Sequence, residues 1–144
     1  MSITPDTVRE WGYGERRADT NTGIRTGEVV AIDIDCYNEA LANRLQELAL
    51  DHFGGEPPIR IGQWPKRLMC YRTAVKRDKR ATGKYALPGL DDKAQLSQIE
   101  VLGDGQQLVA YGEHPVTRKP YQWIGVNGGE KFPRIVGRKF PTSF

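Results

Sequence analysis

Val29-Val30-Ala31-Ile32-Asp33-Ile34-Asp35-Cys36 is the stretch on which the reading of this chain turns. A run so rich in Val and Ile reads as a strand over residues 28–36. Side chains alternate across a strand, so Ile32, Ile34 and Cys36 face a core while Asp33 and Asp35 share the opposite face. Two anions roughly 7 Å apart on one face repel by about 2–3 kcal/mol at an effective dielectric near 20. A strand gains nothing from that repulsion. A divalent cation converts it into attraction, so the pair reads first as metal ligands. The bland alternative is a solvated face carrying two acids.

Working outward, the strand is preceded by a polar, glycine-rich segment at 13–27 and followed by a helix. Asn38 is a suitable N-cap, Leu41, Leu45 and Leu48 recur at helical spacing, and Gly54-Gly55 with Pro57-Pro58 ends the run. Residues 59–63 and 67–74 read as strands around Trp64-Pro65. The stretch 76–93 reads as an exposed loop. Residues 95–102 and 106–112 read as a hairpin about Gly103-Asp104-Gly105, and 121–126 as a further strand. A short helix is expected at 4–12, and the tail 128–144 shows no period. One strand, one helix and then mostly strands imply an α+β domain over 1–144, with a largely antiparallel central sheet and flanking helices.

The 144 residues suffice for one core, and 16 Gly with 9 Pro favour short strands and many turns. Net charge is only +3, but eight basic residues against one acid stand between Lys66 and Lys84. Lys66, Arg67, Arg72, Lys76, Arg77, Lys79, Arg80 and Lys84 make a cluster suited to a polyanion, template DNA or a triphosphate, with no apolar helical face that would suit a membrane. Lys76, Arg77, Lys79, Arg80 and Lys84 are the nucleic-acid-binding candidates. Cys36 and Cys70 have no metal or CxxC spacing and read as buried free thiols of a reducing cytoplasm. No signal peptide or membrane-spanning stretch is visible.

A third acid, Glu100, lies among apolar neighbours in Gln98-Ile99-Glu100-Val101-Leu102. Beside strand 28–36 it completes a three-carboxylate cluster able to hold two divalent ions for in-line phosphoryl chemistry. Arg60 and Arg72 stand in strands, where charge is less expected than in a loop. Arg60 is therefore a candidate for binding a triphosphate or pairing with one of the acids. His114, before Pro115, is a second phosphate-binding candidate. Trp64 and Trp123 can stack bases, but core packing is the expectation for both.

Gly23-Ile24-Arg25-Thr26-Gly27 with Val30–Asp35 resembles the first motif of the bifunctional DNA primase/polymerase domain, in the form carried by phages, prophages and plasmids. Arg60-Ile61-Gly62, Pro65-Lys66-Arg67-Leu68 and Tyr71-Arg72 are similar to the segment after its helix. Residues 98–112 resemble its third motif, and His114-Pro115 with Pro120-Tyr121-Gln122-Trp123 the end of that region. The matches span residues 20–125 in order. The resemblance implies nucleotide polymerisation on single-stranded DNA from (d)NTPs with Mg²⁺ or Mn²⁺, and Asp33, Asp35 and Glu100 as metal-binding catalytic acids. It also implies a helicase, as partner or as a further domain, and a chain that is either a partial domain or a small member. The family's Ser-x-His has no counterpart here; Lys66 or Arg67 stands in its place as the phosphate ligand. A catalytically silent nucleic-acid-binding remnant of the same fold and a metal-dependent nuclease are the competing expectations.

Overall fold

The computed structural model describes residue 6 and residues 21–87 and 96–127. The expected helix at 4–12, apart from helical Asp6, and the tail 128–144 lie outside them. The described chain runs β1 (Thr22–Arg25), β2 (Val29–Asp35), α1 (Glu39–Phe53), β3 (Ile59–Ile61), β4 (Arg67–Arg72), β5 (Arg80–Ala81), β6 (Gln98–Leu102), β7 (Gln107–Tyr111) and β8 (Gln122–Ile124). Six strands form one sheet in the order β5-β6-β2-β4-β3-β8, and β1 with β7 forms a second. Every pairing is antiparallel. The fold is α+β, as the order of elements implies.

The apolar run makes β2 a central strand, with β4 on one side and β6 on the other. Its two faces meet different layers. Ile32, Ile34 and Cys36 pack with Ile59, Met69 and Tyr71 against Ala42 and Ala49 of α1. The helix starts where Asn38 Oδ1 accepts the Leu41 N–H at 2.9 Å, and stops at Gly54, whose φ of 66° suits glycine. Ile34, Ile59 and Met69 are almost wholly withdrawn from water, each contributing about 2–3 kcal/mol of transfer free energy.

On the opposite face the small sheet covers one end. Leu108 and Ala110 of β7 pack on Ala31, Leu68, Cys70, Leu102 and Trp123. The Trp123 indole N–H donates to the Ala110 carbonyl at 2.8 Å, tying β8 to β7.

Two expectations need correction. β6 and β7 are consecutive but do not form a hairpin, because β6 pairs with β2 and β5 while β7 pairs with β1. At Gly103-Asp104-Gly105 the chain leaves the large sheet for the small one. Thr26 clamps this turn: its N–H donates to the Gln106 carbonyl at 2.9 Å, its hydroxyl to the Gly103 carbonyl, and its own carbonyl accepts from Gly105. A Cβ at Gly103 would collide with the backbone of Arg77 and Asp78, so the basic segment and this turn fit only with glycine there. The stretch 76–93 is likewise more than a loop. Arg80 and Ala81 add an edge strand to β6, and Tyr85 bridges Ser97.

Candidate active site

Cross-strand register assembles the acids. Asp33 stands directly opposite Glu100, and Asp35 opposite Gln98, so Asp33, Asp35 and Glu100 share the face of the sheet away from α1. Asp33 is the most enclosed. Burial pushes its carboxyl up to about 6; Arg60 opposes the rise, while Asp35 and Glu100 add to it. Among the described residues its carboxyl has no hydrogen bond or ion pair. The other two acids are engaged: Lys66 Nζ lies 2.7 Å from Asp35 and Lys79 Nζ 3.0 Å from Glu100. Burial works against the Lys66 charge, but hydrogen bonds to Asp35 and to Tyr37, whose ring centre is 3.7 Å away, outweigh it and raise its pKa.

Asp33 and Asp35, but not Glu100, open onto a cavity of about 290 Å³. Asp33 and Asp35 form part of its wall; Arg60, Lys66, Arg67 and His114 line it too, with Tyr37, Gln63 and the loop 114–116. Arg60 comes from β3, donates through Nη1 to the Val109 carbonyl and lies 4.6 Å over the Tyr121 ring. Arg67, 4% exposed, donates through Nε to Pro65 at 3.0 Å and through Nη1 to Gln46 at 2.6 Å. Arg60 Nε and Arg67 Nη2 are buried with no hydrogen-bond partner, an arrangement that is costly unless a ligand supplies the acceptor.

His114 Nδ1 accepts the N–H groups of Val116 and Thr117 at 3.3 and 3.2 Å. In the neutral ring this leaves the proton on Nε2. Burial, then Arg60 and Lys66, hold its pKa below the ordinary value, so the ring is a neutral donor at pH 7. Gly62 is required beneath it, since a Cβ there would strike His114 and Tyr121. The Thr117 hydroxyl donates to the Gly62 carbonyl at 3.1 Å and joins the loops on the two sides of the cleft.

The donor set suits a hard divalent cation: three carboxylates on one face, one of them unpaired and destabilised by burial. Two lysine ammonium groups stand where cation charge is wanted, and among the described residues no three acidic, His or Cys side chains close into a metal cage.

Of the phosphate candidates, Arg60, Lys66, Arg67 and His114 line one cavity. Arg72 does not: it pairs with Val29, four residues along β4 from the Leu68 that faces Asp33. The nucleic-acid candidates run along the β6 side. Lys76 pairs with Asp104 at 3.0 Å, Lys79 with Glu100, Arg80 lies on edge strand β5, and exposed Lys84 follows it. The Arg77 carbonyl accepts the Asp104 N–H at 2.6 Å. Sequence reasoning missed Tyr37, Gln63 and Tyr121. Tyr37 carried a signal, because it continues the alternation of Asp33 and Asp35. Trp123 is core, but Trp64 is not: it is 52% exposed, against expectation, because the loop between β3 and β4 turns it out over Arg67.

Comparison with known proteins adds one match. Residues 1–134 fit the family model Prim-Pol, described as "Bifunctional DNA primase/polymerase, N-terminal". No curated protein and no solved structure matches the chain.

Proposed function

Since the chain belongs to the bifunctional DNA primase/polymerase family, whose members carry out primase- and polymerase-type nucleotidyl transfer with divalent metals, we propose that the cleft joins nucleotides on a DNA template. The observation that carries this reading is the gathering of opposite charges around one cavity: Asp33, its pKa raised by burial, and Asp35 line it together with Arg60, Lys66, Arg67 and His114.

Asp33, Asp35 and Glu100 are the acids that would hold Mg²⁺ or Mn²⁺. Bound there, the cation would lower the pKa of the attacking hydroxyl and offset triphosphate charge. The incoming triphosphate lies against Arg60, Lys66, Arg67 and the Nε2–H of His114. The primer 3′-oxygen attacks the α-phosphorus, the bond to the bridging oxygen breaks, and pyrophosphate leaves into the same cationic wall. Preorganised donors of this kind stabilise the charge that develops on the leaving group. Lys66 turns from Asp35 to phosphate as ligands enter, filling the place of the family's missing Ser-x-His. The template strand follows Lys76, Arg77, Lys79, Arg80 and Lys84 beside β6 by phosphate contacts. Replication of phage or plasmid type, with a helicase as partner or further domain, is the setting this reading implies.

The two lysine–carboxylate pairs favour a second reading, a DNA-binding protein that has lost catalysis. One assay separates them. Wild-type protein is incubated with primed or unprimed single-stranded DNA, dNTPs and Mn²⁺ or Mg²⁺. Extension or primer synthesis is expected. Binding with no product supports the silent protein, and shortening of the strand supports a nuclease.

A further inference from the structure

Trp64 is the largest exposed aromatic among the described residues, in contrast to Trp123, which is 7% exposed with its indole N–H satisfied. It is not a loose flap. One face of its ring is backed by the Arg67 guanidinium, 4.6 Å from the ring. Arg67 is itself fixed through Nε to Pro65 and through Nη1 to Gln46 of α1. The residues flanking Trp64 in the chain, Gln63 on one side and Lys66 and Arg67 on the other, line the acid–base cavity. Pro115 and Val116, the latter 69% exposed, line the same cavity and add apolar surface.

We infer that Trp64 is a stacking platform for a nucleobase at the mouth of the cleft. This rests on the nucleotidyl-transfer reading and adds to it the group that reads the base. A flat indole on an anchored cation offers a stiff π-surface, and every base has a face to lay on it. Arg67 serves both halves of the ligand. Its guanidinium backs the ring, and Arg67 is also one of the residues that line the cavity. The base belongs either to the DNA strand or to the incoming nucleotide; the chemistry is shared, and separate ligands distinguish the two.

The test is equilibrium binding by wild type, Trp64→Ala and Trp64→Phe. The ligands are a labelled oligothymidylate, an abasic oligomer with the same number of phosphates, free dTTP and inorganic triphosphate. Trp64→Ala should weaken oligothymidylate or dTTP by roughly 5- to 150-fold, leave the abasic oligomer and inorganic triphosphate unchanged, and be largely rescued in Trp64→Phe. Loss with the oligomer alone assigns the template base; loss with dTTP alone assigns the incoming one. Unchanged binding of both base-bearing ligands overturns the stacking role while sparing the nucleotidyl-transfer reading. Equal loss for the base-free ligands also overturns it, because Trp64 would then only prop Arg67. Failure of wild type to bind any of the four ligands overturns the parent reading, and this inference with it.

Discussion

On β2, Ile32 and Ile34 turn toward α1 and are 8% and 1% exposed, whereas Asp33 and Asp35 turn the other way, into a cleft that also holds Arg60, Lys66 and His114. The same strand thus serves two faces with opposite physics. On the helix face, even the open groove of about 430 Å³ is lined by Ile32, Leu45, Leu48, Phe53, Ile99 and Val101 and is almost wholly apolar. On the other face the small sheet closes only the end at Ala31 and Leu102, and the acids beyond it are left buried or paired with lysines. Burial stabilises one side. On the other, burial of Asp33 works against the fold and is retained where a ligand of opposite charge can use it.

The comparison can be broken most forcefully on the acid face. Asp33→Ala and Asp35→Ala should each lower templated synthesis by about three orders of magnitude, since several kcal/mol of charge stabilisation is lost and each 1.36 kcal/mol is tenfold. DNA affinity measured by gel shift should stay nearly unchanged. On the helix face, Ile34→Ala should cost about 3 kcal/mol in urea unfolding and change activity only as far as folded protein is lost.

Asp33→Asn sharpens the contrast with the opposite sign. The Asp33 carboxyl is raised from 3.8 to about 6. Between those values the folded chain keeps a proton that the unfolded chain has released. Its favourable contribution is complete below the lower value and is lost as pH climbs through the upper one. The variant escapes that loss. In EDTA it should gain on wild type as pH rises from 4 to 7, by at most about 3 kcal/mol, read from paired urea titrations. The smallest effect belongs to the rim. Lys79→Met breaks a partly exposed pair with Glu100 and should change stability by less than about 1 kcal/mol, with the difference shrinking in high salt.

Much of this was legible in the chain. Alternation alone put Asp33 and Asp35 on one face, and the apolar flanks of Glu100 marked a strand that could lie beside them. Asn38 and Gly54 bounded the helix. What could not be read was partner choice between strands. Gly103-Asp104-Gly105 carries a hairpin signal, yet the turn is decided by Thr26, just after β1, and by the close approach of Arg77, contacts distant in sequence. The gathering of Arg60, Arg67 and His114 depends on the same long-range geometry. So does the separation of Arg72, which looked equivalent to Arg60 in a strand. Trp64 misled because an indole beside proline is apolar by composition, while its exposure is set by where the β3–β4 loop turns.

Mn²⁺ binding followed by electron paramagnetic resonance, in the presence of a dNTP, tests most directly that these carboxylates gather around a shared cation. Wild type is expected to bind the ion, and Asp33→Asn/Asp35→Asn, folded by circular dichroism, to lose that binding while still retaining oligonucleotide. Mn²⁺ affinity equal to wild type in the double variant would contradict the account.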